Sequence, residues 1–310
     1  MDLPAYRRRL LIIYNPTAGR RKRARLEAYL DLLEEAGCAV EYRPTTRRGD
    51  AEAFANDALA ERYDAVVAAG GDGTIAEVAN GLPKQGAAPL GIFPLGTANV
   101  LAAEIGLPLD PPAVMDAVLR GPVRDIYPGF VASGGPGDKN PEDKNTVRLF
   151  TIMAGVGFDA HVVADLPLKL KRTLGKGAYV VESLRQLISW PGRTYRLEID
   201  GQSHEACSAI IAKGHFYAGR FICCPDARLD APDFQICLLR KPGRLGVLRA
   251  SVAMTLGFLP RLPEITLLRG KSVRISGMAG DPVQADGDIA GHLPASVTVG
   301  ERPLKLIMPR

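Results

Sequence analysis

Residues 65–74 read Ala65-Val66-Val67-Ala68-Ala69-Gly70-Gly71-Asp72-Gly73-Thr74, an apolar run that ends in a glycine-rich turn. A short run of consecutive apolar residues is typical of a strand that is buried on both faces of a parallel sheet. We predict a strand over 65–69 and a helix from Thr74 to Asn80. Glycines let the backbone approach phosphate oxygens closely, and the free N–H groups at a helix start attract anions. This stretch therefore predicts a phosphate-binding turn in an α/β domain.

Strands and helices alternate on both sides of this turn. The sequence predicts strands at Leu10–Tyr14, Ala39–Tyr42 and Leu90–Phe93, and helices at Arg23–Glu35 and Asp50–Arg62, the latter capped by Asp50. This alternation indicates an α/β N-terminal three-layer domain with a parallel sheet, covering residues 1–124. Residues 301–310 contain an apolar strand pattern that can rejoin this domain.

The pattern changes after Gly121-Pro122. Strand-like stretches at 125–132 and 147–153 flank a segment, 133–145, that is rich in Gly, Pro, Asp, Lys and Asn and is expected to be a long hairpin loop. One helix is predicted at 176–188. Five further strands are predicted at Tyr195–Ile199, Cys207–Ala212, Gln235–Leu239, Ser272–Ile275 and Val297–Val299. We therefore expect a C-terminal antiparallel β-sandwich-like domain over 125–300, with one very apolar helical stretch at Leu245–Leu259.

Three small polar loops follow strands of the predicted parallel sheet. They are Asn15–Gly19, the turn Gly70–Thr74 and the loop Pro94–Asn99. Ligands of parallel sheets bind outside the carboxyl ends of the strands, so we expect these loops to share one crevice. These three loops contain neither the Gly-Lys-Ser/Thr of a Walker A phosphate loop nor a G-x-G-x-x-G dinucleotide turn.

The order and spacing of nine short motifs carry a family resemblance. The motifs are Asn15-Pro16-x-Ala18-Gly19, Thr45, Gly49-Asp50-Ala51, Gly70–Thr74, Glu77-Val78-x-Asn80-Gly81, Pro94-Leu95-Gly96-Thr97-x-Asn99, Ala154–Ala160, Pro225-Asp226-Ala227-x-Leu229-Asp230 and Asp286-Gly287-Asp288. In these motifs the chain resembles the diacylglycerol kinase catalytic-domain family, particularly the bacterial soluble lipid kinases. Sphingosine kinases are similar in the same motifs.

This resemblance implies an ATP-dependent lipid kinase that transfers phosphate directly, in line, to a diacylglycerol-like lipid hydroxyl. It implies that Thr45, Gly70, Gly71, Asp72, Gly73, Thr74 and Thr97 contact ATP. Because their loops share the same crevice, we also expect Asn15, Gly19, Gly96 and Asn99 to bind the nucleotide. Asp72 is expected to organise Mg²⁺–ATP. The family's general base is the glutamate of Asp-Gly-Glu, and Asp288 occupies that position here. Either carboxylate can accept a hydroxyl proton, although Asp reaches one methylene less far.

Two acidic residues are assigned by the same resemblance. Asp125 matches a position linked to the family's active-site charge network. The family's structural Mg²⁺ site uses an Asp-Gly pair, but the aligned pair here is Ala231-Pro232, so Asp230 is the candidate ligand. ATP and Mg²⁺ are thus the expected cofactors.

The charge and the apolar runs bear on partners and location. The formal net charge is +5, yet eight basic residues and one acid lie before Leu26. We expect a lipid substrate, peripheral docking on anionic membranes and no nucleic-acid partner. The sequence leaves open whether the protein forms a homodimer. Because no run approaches the ~20 apolar residues of a spanning helix, we expect a cytoplasmic protein that reaches the inner membrane face.

Two other functions fit part of this sequence. NAD kinases also use Gly-Gly-Asp-Gly-Thr, so an NAD-kinase-like acceptor is one alternative. Four departures from the family pattern, Ala76, Ile152, Ala231 and Asp288, motivate a second alternative, a catalytically impaired regulator that binds nucleotide or lipid.

Overall fold

The computed structural model describes residues 6–16, 20–58, 62–82, 88–133, 147–165, 192–241 and 243–310. Contacts divide the chain into two compact units. The first contains Met1–Ile126 and Arg302–Arg310, and the second contains Tyr127–Glu301. The helix predicted at 176–188 and nearly all of the predicted loop at 133–145 lie outside the described residues.

The first unit alternates strands and helices as its sequence predicts. Its elements are β1 (Arg9–Tyr14), α1 (Arg20–Glu35), β2 (Ala39–Pro44), α2 (Asp50–Asn56), β3 (Ala65–Gly70), α3 (Asp72–Gly81), β4 (Leu90–Pro94), α4 (Val100–Glu104), α5 (Pro111–Arg120), β5 (Val123–Ile126) and a last strand, β20 (Leu304–Ile307). One sheet has the order β2-β1-β3-β4-β20-β5, and its first four strands are parallel. The predicted α/β class with a mainly parallel sheet is confirmed.

The closing strand β20 lies between β4 and β5. It is parallel to β4 and antiparallel to β5. The end of the chain therefore completes the sheet of the first unit. This arrangement makes the sheet mixed at one edge, where β5 begins the passage into the second unit.

Two details of the first unit differ from the sequence prediction. The predicted helix 50–62 ends at Asn56, and Asp50 does not cap it. The carboxylate of Asp50 instead accepts the N–H groups of Thr46 and Arg47, which precede the helix, while Gly49 takes the cap position with φ of 89°. β2 is an exposed edge strand rather than one buried on both faces.

The second unit consists mainly of antiparallel strands. Its elements are β6 (Gly129–Ser133), β7 (Val147–Phe150), β8 (Met153–Gly157), α6 (Phe158–Asp165), β9 (Tyr195–Ile199), β10 (Gln202–Ala206), β11 (Ser208–Ala212), β12 (Phe216–Tyr217), β13 (Phe221–Ile222), β14 (Phe234–Leu239), α7 (Arg244–Thr255), a 3₁₀ turn (Leu259–Arg261), β15 (Ile265–Gly270), β16 (Ser272–Ser276), β17 (Pro282–Ala285), β18 (Asp288–His292) and β19 (Ala295–Val299).

Two six-stranded sheets form the sandwich of the second unit. Their orders are β10-β9-β16-β19-β6-β7 and β15-β14-β11-β8-β17-β18. One apolar core contains side chains of both sheets, among them Phe150, Tyr195 and Phe234. Side chains at alternate positions of strands such as β9 point into this core, which is the burial pattern of packed sheets. The predicted antiparallel β-sandwich-like class is confirmed.

Two predicted strands are each divided in the structure. The stretch 125–132 is interrupted around Pro128, and its halves, β5 and β6, belong to different sheets. Proline has no N–H to donate to a ladder, which explains the interruption. The stretch 147–153 is likewise divided into β7 and β8. None of the helices within the described ranges combines the length and apolar character that crossing a bilayer requires.

Candidate active site

The register of the first sheet brings four strand ends to one level. Tyr14 pairs with Pro44 and with Ala69, and Ala69 pairs with Phe93. The loops that follow β1, β2, β3 and β4 therefore leave the same edge of the sheet. They carry Asn15, Thr45, Gly70–Thr74 and Gly96–Asn99 respectively. The structure thus brings together the predicted nucleotide-binding residues that it describes, whereas Gly19 lies outside the described residues.

Two glycines let neighbouring loops touch. A Cβ added to Gly96 would lie 2.4 Å from the Cα of Gly71, and a Cβ added to Gly71 would lie 3.1 Å from the Cα of Gly96. A third glycine, Gly70, has the side chain of Thr74 packed against it. These contacts leave no room for side chains. The glycine-rich composition of both loops is therefore a packing requirement as well as an opening for a ligand.

Asp72 joins the glycine turn to the loop after β4. Its Oδ2 accepts the N–H of Asn99 at 3.0 Å, and its Oδ1 accepts the N–H of Val100 at 2.5 Å. Two charge-assisted bonds to backbone donors fix the relative position of the loops. These two bonds position the loops, and the organisation of Mg²⁺–ATP by Asp72 stays a prediction.

Asn99 is a buried polar residue between these loops. It is 7% exposed and has a left-handed backbone with φ of 49°. Its Nδ2 donates to the carbonyl of Gly96 at 3.0 Å. Its Oδ1 is buried and has no hydrogen-bond partner among the described residues. An unsatisfied buried acceptor costs free energy, so this oxygen fits a ligand donor.

The remaining predicted nucleotide residues differ in exposure. Thr45 is buried, and its N–H donates to the carbonyl of Tyr14 at 2.7 Å. Thr74 is also buried, whereas Thr97 is exposed on the loop after β4. The loop after β2 is held by Glu77, which accepts the N–H of Gly49 at 3.1 Å. Thr97 is thus the predicted threonine whose side chain faces solvent.

Asp288 lies in the second unit, at the start of β18. A two-residue turn joins β17 to β18, and Ala285 pairs with Asp288 across it. The two central residues, Asp286 and Gly287, have φ of 48° and 83°. Positive φ at both positions is the requirement of a type I′ hairpin, for which Asp-Gly is a favoured pair. The sequence Asp286-Gly287-Asp288 therefore presents Asp288 at the first position after a tight turn.

The carboxylate of Asp286 fixes this turn to the start of β8. It accepts the N–H groups of Thr151, Ile152 and Met153 at 2.7 to 3.0 Å, and the hydroxyl of Thr151 at 3.0 Å. Burial raises the pKa of Asp286, while the four donors oppose that rise. The turn therefore has little freedom to move relative to the sheet.

A second set of contacts supports the same turn from the other side. Gln284 accepts the N–H of Gly287 at 3.0 Å through its Oε1 and donates from Nε2 to Asp159 Oδ2 at 2.7 Å. Tyr217 donates its hydroxyl to Asp159 Oδ1. Burial raises the pKa of Asp159. The neighbouring Gly155 leaves the necessary space, because a Cβ there would lie 2.6 Å from Asp159 Oδ2.

Asp125 is not brought to the nucleotide-binding edge of the first sheet. It is exposed on β5 and pairs in register with Lys305 of β20. The next residue of β20, Leu306, pairs with Leu90 at the start of β4. Asp125 therefore lies near the amino ends of the parallel strands, whereas the glycine turn follows their carboxyl ends.

The surroundings of Asp230 do not fit a divalent cation. Both of its carboxylate oxygens accept bonds from Arg228, at 3.0 and 3.1 Å. Nearby, the ammonium of fully buried Lys213 donates to the carbonyls of Ala231 and Asp233. Within the described ranges there is no group of three or more His, Cys, Asp or Glu residues that could hold a metal ion. The predicted Mg²⁺ ligand is thus an ion-pair partner beside a buried lysine.

Family comparisons agree with both units. Residues 9–131 match the diacylglycerol kinase catalytic domain, and residues 152–308 match the YegS C-terminal NAD kinase beta sandwich-like domain. A protein named diacylglycerol kinase from Staphylococcus aureus (strain bovine RF122 / ET3-1) is 30% identical over 98% of this chain and 93% of its own length. The chain belongs to the diacylglycerol kinase family. It is accordingly a lipid kinase, as its motifs imply.

Solved structures show the same fold at lower identity. A Bacillus anthracis str. Sterne structure described as a diacylglycerol kinase is 18% identical, with a TM-score of 0.68 and coverage of 97% of both chains. Yeast NADH kinase in complex with NADH is 14% identical, with a TM-score of 0.55 over 100% of this chain and 89% of that chain. The fold is therefore shared by kinases whose names indicate different acceptors.

Several residues that support the turn before Asp288 have no signal of their own in the sequence. Gln284 and Tyr217 stand outside every motif, and only the strand pairing places Gln284 beside Gly155. Asp159 and Asp286 do lie within motifs, but their bonding partners are remote in sequence. A residue whose role depends on a distant donor cannot be found from local spacing.

Proposed function

We propose that this kinase transfers the terminal phosphate of Mg²⁺–ATP directly, in line, to a hydroxyl of a diacylglycerol-like lipid. The observation that carries the proposal is the pair of bonds from Asp72 to the N–H groups of Asn99 and Val100. These bonds hold the glycine turn and the loop after β4 as one preorganised cradle. Preorganised donors are what phosphoryl transfer requires of a protein.

The nucleotide would bind to the first unit at the carboxyl ends of β1 to β4. The amino end of α3 supplies backbone N–H groups for phosphate oxygens. The buried Oδ1 of Asn99 would accept a hydrogen bond from a donor on the nucleotide, such as a ribose hydroxyl. We include the predicted contacts Asn15, Gly19, Thr45 and Thr97 in this proposal. Mg²⁺ would arrive as part of the nucleotide substrate.

Asp288 would act as the general base on the lipid hydroxyl. It is half-buried, and its turn is held by the Asp286 and Gln284 contacts. A carboxylate in a fixed position can accept the proton as the oxygen attacks phosphorus. Transfer in this manner needs no phosphorylated enzyme side chain. The donor and acceptor would therefore be bound together when the phosphate moves.

The acceptor is a lipid rather than a dinucleotide in this proposal. The Staphylococcus aureus relative that is named diacylglycerol kinase shares 30% identity with nearly the whole chain. The likeness to yeast NADH kinase, at 14% identity, concerns the fold alone. A lipid acceptor requires the enzyme to work at a bilayer surface, so we also propose peripheral membrane association.

A phosphate-acceptor screen tests this function. The purified chain is incubated with labelled Mg²⁺–ATP and a total-lipid extract, with NAD and a lipid-free mixture as parallel arms. We expect label in a lipid that co-migrates with phosphatidic acid or a similar phosphomonoester. Label in NAD alone would show that the acceptor is wrong. Binding of ATP with no labelled product in any arm would favour the impaired regulator.

A further inference from the structure

One helix of the second unit is apolar on two opposite faces. On α7, the residues Gly246, Val247, Ala250 and Ala253 are buried against the unit. Leu245, Leu248, Val252 and Leu256 are 64%, 42%, 47% and 67% exposed. At about 100° per residue these four side chains occupy a stripe roughly 80° wide, on the side away from the buried face. We call Leu245, Leu248, Val252 and Leu256 the α7 stripe.

A neighbouring hairpin enlarges this apolar surface. β13 lies against α7, and its two residues, Phe221 and Ile222, are 40% and 41% exposed. Six large apolar side chains are therefore exposed on adjoining elements. Scattered exposed apolar residues are ordinary, but a contiguous group indicates an interaction surface.

The sequence segment that carries the stripe has charges of one sign. Residues 240–263 contain five basic residues and no acid. Among the basic residues, Arg240, Lys241, Arg244 and Arg261 are exposed, as is Arg220 beside β13. Arg249 forms an ion pair with Glu264 at 3.4 Å. An anionic bilayer attracts exposed basic residues of this kind, at about 1 kcal/mol for each Lys or Arg near its surface.

The basic cluster at the chain start is less suited to this task. The guanidinium of Arg7 is buried and donates to the carbonyls of Val118 and Gly121 at 3.0 and 2.9 Å. Arg9 binds Asp64 through two nitrogens. These two arginines of the cluster are therefore already paired with groups of the first unit. Four further basic residues that we expect to contribute to membrane docking, Lys169, Lys171, Arg172 and Lys176, lie outside the described residues.

We infer that the α7 stripe is the surface by which this kinase docks on anionic membranes. The apolar side chains enter the boundary between headgroups and acyl chains, and the basic rim binds lipid phosphates. A helix that lies in the interface needs an apolar face and basic flanks, and α7 has both. The inference rests on the proposed function for its purpose, because a lipid acceptor resides in a bilayer.

Vesicle sedimentation without ATP tests the docking surface. The native chain is expected to sediment with vesicles of phosphatidylcholine and phosphatidylglycerol, and less with phosphatidylcholine alone. Leu245→Gln/Leu256→Gln should lower the partition coefficient at least about tenfold, because two apolar side chains leave the interface. The matched control Leu109→Gln/Val147→Gln changes two residues that are 50% and 55% exposed elsewhere and should bind like the native chain.

A charge variant provides a second test that does not alter the apolar stripe. Lys241→Gln/Arg244→Gln should weaken binding to the anionic vesicles by about fivefold per basic residue removed, and added salt should reduce this effect. Binding to phosphatidylcholine alone should stay the same. Thermal unfolding of each variant confirms that the chain is folded.

Three outcomes would overturn the inference. The first is native-like sedimentation of the stripe variant, and the second is a native chain that binds neither kind of vesicle. The third is a native dimer in solution that the stripe variant dissociates, since the stripe would then face a second copy. Absence of kinase activity toward a detergent-dispersed acceptor would instead contradict the proposed function and leave the sedimentation result standing.

Discussion

The side-chain amide of Gln284 donates to the carboxylate of Asp159 across 2.7 Å, and both residues are buried. The other end of the amide accepts the N–H of Gly287, which immediately precedes Asp288. A buried chain of hydrogen bonds thus runs from Tyr217 through Asp159 and Gln284 to the turn that carries the proposed base. Buried polar networks that are fully bonded hold their members in one geometry.

Replacement of Gln284 by methionine should separate positioning from substrate binding. Gln284→Met keeps the approximate volume but leaves the N–H of Gly287 and one oxygen of Asp159 without this partner. We expect kcat to fall about tenfold to 100-fold, because a shift near 1 Å is that costly, while the KM for ATP is unchanged. Stability should fall by about 1–3 kcal/mol.

Steady-state kinetics and thermal unfolding check the Gln284 prediction. Gln202→Met, on an exposed position of β10, is the matched control and should resemble the native enzyme in both assays. A Gln284→Met enzyme that is destabilised but retains its native kcat would show that the network serves folding alone.

Lys213 should give the stability a defined dependence on pH. Burial lowers the pKa of its ammonium to about 8 from 10.5, so the folded state releases this proton before the unfolded state does. Between these two pH values the unfolded chain binds more protons, and stability therefore rises with pH. The shift corresponds to about 3 kcal/mol at most.

The comparison of native protein with Lys213→Met isolates this titration. The variant has no ammonium at that position, whereas all other titrating groups are common to both proteins. We expect the native chain to gain free energy of unfolding relative to the variant between pH 8 and 10.5, and no relative change below pH 8. A constant difference from pH 7 to 10.5 in denaturant titrations would contradict a lowered pKa.

The sequence predicts correctly those elements that depend only on neighbouring residues. The apolar run before Gly70 and its glycine turn lie as expected, because a strand buried on both faces requires only apolar residues. The prediction that Asp50 caps its own helix is wrong, since its carboxylate accepts an N–H group of the preceding turn. An Asp side chain suits either role, and only tertiary packing selects one of them. Likewise, composition alone does not reveal that the stretch 125–132 crosses from one unit into the other at Pro128.

Replacement of Asp72 should weaken ATP binding more than replacement of an ordinary helix-capping aspartate. In Asp72→Asn, the side-chain oxygen can accept the N–H group of only one of Asn99 and Val100. The NH₂ group of the new side chain then faces the N–H group of the other residue, and two donors cannot bond each other. We expect a stability loss of about 1–2 kcal/mol and at least about tenfold weaker ATP binding by calorimetry. Asp110→Asn is the matched control, because Asp110 accepts the N–H of Ala113 at the start of α5. Equal ATP affinity in the two variants would show that the bonds of Asp72 do not contribute to ATP binding.

A methyl group on Gly96 should separate the two nucleotide loops. The added Cβ in Gly96→Ala would lie 2.4 Å from the Cα of Gly71, so the backbone of one loop must move. We expect a loss of about 1–3 kcal/mol and no measurable ATP binding. Gly106→Ala, where φ is 67° and a Cβ meets nothing within 4 Å, controls for a comparable loss of stability. ATP binding by Gly96→Ala at native affinity would contradict the close-packed cradle.

The role of Asp288 as base predicts opposite results for two substitutions. Asp288→Asn keeps the shape of the side chain but cannot accept the proton, so kcat should fall about 100-fold to 10,000-fold. Asp288→Glu keeps a carboxylate and reaches one methylene farther from the same turn, so it should retain measurable lipid phosphorylation. Both variants should bind ATP like the native chain, and thermal unfolding checks that each keeps the turn, which Asp286 fixes to the start of β8. Full turnover by Asp288→Asn would exclude the carboxylate as the base. An inactive Asp288→Glu enzyme with native ATP affinity would show that the position of the base is fitted to the shorter side chain of aspartate.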